Sequence, residues 1–473
     1  MQIIDQIYID GAFIKPHGEE FFNLFNPSTE QVIGRVRLAD AEDACDAIAA
    51  AKRAFPAFSR TDKLERVDML RRMHAAVAAR ESELFEAIVE EYGAPVSRGR
   101  WMARHASDVL LEAAKVLEDY SFVRRAGSAE VVMQPLGVAG LITPWNSDAG
   151  FVCGKLASAL AAGCTAVVKP SEMSAIQTRV VTEALHEAGL PPGVFNIVTG
   201  RGETAGAQIS SHPDVAKLSF TGSTAVGKTI LRTAAETLKR VTLELGGKSP
   251  MIVLDDANFD EAVPLALQAG FMNSGQACIA GTRILVPQAR LSEFEERIVD
   301  AVADIQAGDP RDPRTSIGPM VSQKQWDRVQ RYIRIGIDEG ARLIAGGEGR
   351  PHGVNAGWFV RPTVFSHVKN DMTIAREEIF GPVLSIIAYR DTEDAIAIAN
   401  DTPYGLQAYV CSSNAGRASA VASQIEAGRV LVNTLAHEPA APFGGFKHSG
   451  IGRECGTFGL EAFLEPKALL GAV

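Results

Sequence analysis

The chain has 473 residues, 46% of them apolar and 22% charged, a balance that excludes disorder and is long enough for two or three domains with sizeable cores. Its 57 acidic side chains outnumber 47 basic ones and leave a net charge of −10, so nothing electrostatic favours nucleic acid or an anionic membrane as a partner. The six cysteines, at 45, 153, 164, 278, 411 and 455, form no CxxC pair and no framework spacing, which argues against a zinc site and fits a reducing, cytoplasmic compartment.

The opening MQIIDQIYIDGAF has no basic stretch followed by an apolar core, so no secretory leader is expected. IYIDGAFI reads as a strand hairpin. Asp40 can cap a helix over AEDACDAIAAAKRAF, and Val67, Leu70, Met73, Val77, Leu84 and Ile88 keep one helical period until Gly93 and Pro95. Residues 118–135 read as two strands around Ala126-Gly127-Ser128, a hairpin that needs neighbours and is most economically used in subunit pairing. From 136 to 246 short strands (VAGLIT, TAVVKP, FNIVTG, AKLSF, VTLELGG) alternate with helical stretches, the pattern of a parallel doubly wound sheet. LASALAAGCTAVV, the longest nearly apolar run, is too short to cross a bilayer and reads as a helix end and a strand. A second α/β region runs to 446, with strands at TRILVP and GPVLSIIAY and helices at 291–306, 322–339 and 391–400.

Ligands of such sheets collect at the carboxyl ends of the strands, and the chain's motifs fall there. FTGSTAVGKT satisfies the phosphate-loop signature from Gly222 to Thr229, which opens the reading of a nucleotide triphosphatase. FMNSGQACIAGTR competes with it. Cys278 sits there among small residues, a surrounding that admits a substrate and backbone N–H donors as a nucleophile requires. TPWNSDAG ends a strand with Asn146, whose amide could donate to an oxyanion. LELGGKSP ends another with Glu244, either a general base or a solvated turn residue. VVKPSE places Lys169 and Glu172 where both could touch one sugar, and EEIFGPVLS adds Glu378 and Phe380.

Together these stretches, through to NTLAHEPAAPFGGFKHSGIGRECGTFGLEAF, resemble the NAD(P)-dependent aldehyde dehydrogenase superfamily. The resemblance implies an α/β fold: a Rossmann-like dinucleotide-binding domain (1–117 and 136–246), a second α/β catalytic domain (247–446), and a small β-hairpin oligomerisation element (118–135 and 447–473) that makes a homodimer or homotetramer. It implies that Cys278 attacks an aldehyde, that Asn146 and the Cys278 N–H hold the oxyanion, and that Glu244 activates the water that hydrolyses the thioester. Lys155 matches a lysine near the active site, either in a proton relay or as a surface charge. The resemblance assigns NAD, in preference to NADP, to Trp145, Lys169, Glu172, Gly222, Ser223, Gly227, Leu245, Glu378 and Phe380. FTGSTAVGK then becomes the turn that meets the pyrophosphate, and no metal is expected.

The chain departs from the family pattern after Asn146, where Ser147-Asp148 replaces an aromatic residue and a proline, beside the nucleophile at Ile279, and in the loop NTLAHEPAAP. The positions expected to line the aldehyde pocket, Ser147, Gly154, Met272, Ala277 and Ile279, contain no aromatic residue. They imply a wide, largely apolar pocket and a bulky or aromatic aldehyde, with His437 and Glu438 at its mouth. The alternatives are a CoA-acylating relative, which commonly lacks the glutamate found here at 244, and a non-catalytic protein that retains the fold.

Overall fold

Val138–Ile142 and Thr165–Lys169 are buried along their whole lengths, as β-branched and small apolar runs become when helices cover both faces of a sheet. The computed structural model describes residues 2–471. These two strands lie at the centre of an eight-stranded sheet. Beyond Thr165–Lys169 come Phe195–Ile197 and the hairpin of Ile7–Ile9 and Ala12–Ile14; on the other side of Val138–Ile142 come Val215–Thr221, Arg240–Glu244 and Gly450–Ile451. The five inner strands are parallel, while the hairpin and Gly450–Ile451 run antiparallel at the edges. Chain order reverses between Val138–Ile142 and Val215–Thr221, and it is at such a switch point that doubly wound sheets open a ligand crevice.

A seven-stranded sheet follows, in the order Arg342–Ala345, Thr363–Ser366, Val383–Tyr389, Arg283–Pro287, Pro250–Val253, Gln407–Cys411 and Arg429–Val432, all parallel except the first. Two small sheets complete the fold. In one, the hairpin of Val123–Ala126 and Ala129–Pro135 gains a third strand, Leu464–Leu469. In the other, Gln2–Ile4, Val32–Arg37 and Phe21–Phe25 associate, a sheet without counterpart in the sequence reading.

The helical period of residues 67–88 belongs to two helices, Lys63–Ala79 and Glu81–Glu91. Arg80 leaves helical geometry between them (φ −102°, ψ 12°), and its guanidinium binds Glu83, Glu183 and Glu187. A further long helix, Val96–Asp119, packs on Lys63–Ala79 and on Asp148–Ala162. Leu110, Ala114 and Leu117 face the core, and the opposite flank bounds the cavity described next.

Candidate active site

Sheet register brings four strand ends into one row. Ile142 lies opposite Lys169 on one side and Phe220 on the other, and Thr221 lies opposite Glu244. At about 4.8 Å per strand the row spans roughly 15 Å. It carries Trp145 and Asn146, Lys169 and Glu172, Gly222 and Ser223, and Glu244 and Leu245 on the turns that leave those ends.

Cys278 reaches this row from the second sheet. The helix Phe259–Phe271 ends at Met272, and the chain then passes through three consecutive left-handed residues, Asn273 (φ 55°), Ser274 (φ 59°) and Gly275 (φ 74°). Two of the three carry a side chain, a geometry that persists only where the surroundings over-determine it. Here they do. The Asn273 amide donates to the Asn146 carbonyl (3.0 Å) and the Gln276 carbonyl (3.2 Å), and the Ser274 hydroxyl accepts from the Gly318 N–H (2.9 Å). Gln276 donates to the Pro319 carbonyl (3.2 Å) and accepts from the Val321 N–H (3.0 Å). On the far side, the turn after Glu244 packs so tightly that a Cβ on Gly247 would run into the Cys278 carbonyl.

The backbone N–H groups of Cys278 and Ile279 face the Cys278 sulfur, yet burial, with Glu378 and Glu244 nearby, pushes the thiol up to about 12. Asn146 donates one amide hydrogen to the Gln276 carbonyl (3.0 Å) and keeps a second free. Glu244 is 2% exposed, and neither of its carboxylate oxygens has a partner. Burial and the nearby charge of Glu454 hold it well above the ordinary carboxylate range. An isolated carboxyl is costly to bury unless it has work to do there. Lys155 is no surface charge: it is buried, donates to Ser219 (2.9 Å) and pairs with Glu454, which also accepts from Ser219 (2.9 Å). Glu454 is absent from the sequence reading because nothing local marks it; the antiparallel pairing of Gly450–Ile451 with Arg240–Glu244 carries it in.

Along the remainder of the row, Ser223 caps the helix Thr224–Ala235 by accepting from Val226 (3.4 Å), and residues 222–226 stay at least partly exposed, leaving first-turn N–H groups open to an anion. Leu245 packs against Gly227. Buried Lys169 donates to the Gly200 carbonyl (2.9 Å) and lies 3.6 Å from Glu172, whose other oxygen is 3.6 Å from Arg201. Arg201 is a further cation the sequence reading does not name. Glu378 accepts from the Gly247 N–H (3.1 Å), and burial raises it to about 7. Phe380, itself left-handed at φ 62°, stands perpendicular to Trp145 with centroids 5.5 Å apart. A row of this length, with Lys169, Glu172 and Arg201 at one end, exposed helix N–H donors in the middle and Glu378 beside Cys278, suits a dinucleotide.

A cavity of about 250 Å³ opens against Cys278, and Asn146, Lys155 and Glu244 also line it. Ser147, Gly154, Met272, Ala277 and Ile279 all face it. The wall beside Gly154 is uncrowded: a Cβ there would make ordinary contact with Val109 alone, at 3.9 Å. Aromatic walls come from elsewhere, from Trp101 and His105 on Val96–Asp119 and from Phe151, Phe443 and Phe463. His437 lines the mouth, whereas Glu438 turns into its own loop and accepts from Ala440 (3.0 Å). Asp148, in place of a proline, is fully buried, accepts from Thr143 (3.0 Å) and Thr178 (2.9 Å), and is raised by burial to about 7. Among the described residues no helix is long and apolar enough to cross a membrane, and no group of three or more His, Cys, Asp or Glu could hold a metal ion.

The sequence profile of the aldehyde dehydrogenase family matches residues 13–469. A 3-succinoylsemialdehyde-pyridine dehydrogenase from a Pseudomonas species is 45% identical over 468 residues, 98% of each chain. Among solved structures, a mutant of aldehyde dehydrogenase C from Pseudomonas syringae, complexed with NAD+ and octanal, superposes with a TM-score of 0.98 at 44% identity and covers 99% of this chain and 97% of its own. The Mycobacterium tuberculosis aldehyde dehydrogenase complexed with NAD+ gives 0.95 at 40% identity, with 99% and 98% covered. With the profile spanning nearly its whole length and the strand-end row, the cysteine turn and the buried glutamate in place, this chain belongs to the aldehyde dehydrogenase family.

Proposed function

We propose that the chain is an NAD-dependent aldehyde dehydrogenase that works through a covalent thioester on Cys278. The observation that carries this reading is Glu244: a buried carboxyl with neither oxygen engaged, lining the same cavity as the Cys278 thiol. Cys278 reacts as its thiolate after losing its proton to the water of the cavity, and Glu244, a strong base whenever it ionises because burial raises it, is reserved for the second half-reaction. The thiolate then adds to the aldehyde carbon, a C–S bond forms, and the carbonyl electron pair moves onto oxygen. The second Asn146 hydrogen and the Cys278 N–H hold that charge; a donor so placed contributes about 3–4 kcal/mol. The chemistry that NAD supplies when bound is acceptance of the hydride from this carbon. What stays on Cys278 is a thioester. Glu244 next takes a proton from water, the hydroxide adds, the C–S bond breaks and a carboxylic acid leaves. Lys155 and Glu454, hydrogen-bonded through Ser219 beside Glu244, form a path for the released protons.

The cofactor row along residues 136–246 is assigned to NAD, with Glu172 accepting from a ribose hydroxyl and repelling a phosphate there, so that NAD is preferred to NADP. The cysteine-bearing region 247–446 supplies the nucleophile. The sheet of Val123–Ala126, Ala129–Pro135 and Leu464–Leu469 presents an exposed edge strand, a natural seam for a homodimer or homotetramer. All six cysteines are free, in keeping with a cytoplasmic setting.

For the substrate, the uncrowded wall at Gly154 and the apolar and aromatic walls favour a bulky or aromatic aldehyde over acetaldehyde. The relatives named for a pyridine-bearing semialdehyde and complexed with octanal point the same way. Pre-steady-state kinetics tests the whole reading. Glu244→Gln should give a burst of NADH and then a slow steady state, because thioester formation outlives hydrolysis. Unchanged steady-state turnover would remove Glu244 from its role, and no NADH from any aldehyde would remove the activity.

A further inference from the structure

The cavity's two arginines pair with none of its acids. Six ionisable side chains of the Arg, Lys, Asp and Glu types line it: Arg98, Glu112, Lys155, Glu244, Arg429 and Glu454. Glu112 binds Lys115 (2.7 Å), Glu454 binds Lys155, and neither oxygen of Glu244 meets an arginine. The two arginines have no carboxylate. Arg429 donates to the Glu438 carbonyl (3.0 Å) and contacts the His437 ring (3.3 Å), and neither carries a negative charge. Arg98 makes no hydrogen bond or ion pair among the described residues. Its Nε is buried without a partner, and the guanidinium lies 4.0 Å over the Trp101 ring.

Its setting fixes that guanidinium in place. Arg98, Trp101 and His105 follow one another at helical spacing on Val96–Asp119, so they share one face, and that face is the cavity wall. Trp101 stacks on His105 with centroids 4.5 Å apart and planes 15° from parallel. The histidine adds no third charge, since burial and the neighbouring His437 and Arg98 pull it down to about 4. An arginine half-withdrawn from water with no counter-ion is expensive to keep unless a ligand completes it, and a carboxylate does so through paired N–H bonds.

We infer that the cavity recognises an anionic group as well as the aldehyde, so that the preferred substrate is an aldehyde bearing a carboxylate, held by Arg98 with Arg429 adding charge. The inference rests on the reading of Cys278 as the aldehyde-oxidising centre and names the substrate class of that site. It also reconciles apolar and aromatic walls with two cations that no carboxylate meets: such a site fits a substrate with an apolar chain or ring between its two functional groups.

A chain-length series of ω-oxo carboxylates, each measured beside the neutral ω-oxo amide of the same length, tests it, with NADH formation as the readout and simple alkanals alongside. At the length that spans from Cys278 to Arg98, kcat/KM for the carboxylate should exceed that for the amide by about tenfold or more, mainly through KM. Arg98→Gln should lower that ratio by about tenfold. Because the ratio is taken within one variant, a lower yield of folded protein cancels. Arg98→Lys, which keeps the charge without the planar fork, should restore part of the preference. Amides oxidised as well as carboxylates at every length, or an unchanged ratio in Arg98→Gln, would overturn the inference while leaving aldehyde oxidation intact. No NADH from any member of the series, alkanals included, would overturn it together with the reading on which it rests.

Discussion

Gly154 sits where a large side chain would occupy the substrate cavity, and replacing it with tryptophan turns the shape of that cavity into a number. The nearest atoms to a Cβ at this position belong to Val109, 3.9 Å away and in ordinary contact, and both residues line the cavity that Asn146 and Cys278 share, so the new side chain takes up room in that cavity. Burial of about 0.8 kcal/mol for each of its four additional methylenes gives hexanal an advantage of roughly 3 kcal/mol over acetaldehyde in the open cavity. That corresponds to a ratio of kcat/KM on the order of a hundredfold. Gly154→Trp should collapse the ratio towards unity by raising KM for hexanal and for benzaldehydes while acetaldehyde is little affected. NADH absorbance at substrate concentrations well below KM measures it directly. A preference for acetaldehyde in the unmodified protein, or a hexanal-to-acetaldehyde ratio that survives the tryptophan, would refute the reasoning.

Asn146→Ala removes one oxyanion donor and, with it, the bond to the Gln276 carbonyl; kcat should fall by about a hundredfold to a thousandfold, and a smaller loss than tenfold would place the oxyanion elsewhere. Glu172→Ala should move the ratio of catalytic efficiencies towards NADP, because Lys169 and Arg201 remain to meet a phosphate; an unchanged ratio would take Glu172 out of cofactor selection. Asp148 holds its proton in the folded protein up to about pH 7, against an ordinary value of 3.8, so between those values the folded state binds more protons than the unfolded one. The stability this group contributes is complete below its ordinary value and is lost as pH rises through about 7. Thermal melts of Asp148→Asn across that range should therefore decline less steeply with pH than those of the unmodified protein, and parallel slopes would contradict the assignment.

The parts of the site that could be read from sequence are those whose chemistry is local. Cys278 stands among small residues because its turn leaves no room for others, and Glu244 and Asn146 sit at the ends of strands that announce themselves by apolar runs. The cavity wall formed by Val96–Asp119 was hidden for the opposite reason. The sequence reading assigns VSRGRWMARHASDV no role, and only the packing of Leu110, Ala114 and Leu117 into the core turns Arg98, Trp101 and His105 towards the cavity. A tryptophan and a histidine at helical spacing from an arginine were the available signal. Glu454 and Arg201 are distant in sequence from the groups they meet, Lys155 and Glu172, and no periodicity links such pairs. The break at Arg80 likewise depends on glutamates more than a hundred residues away as well as on nearby Glu83.

The most direct measurement of the central claim is the covalent state of Cys278 during turnover. Glu244→Gln, mixed with NAD and an aldehyde and quenched in acid after the first turnover, should carry the mass of the aldehyde less the elements of H2, located by peptide mapping on the peptide that contains Cys278. The adduct should be absent when NAD is withheld and absent in Cys278→Ala. An adduct on another residue, or a full burst of NADH with Cys278 unmodified, would contradict the account.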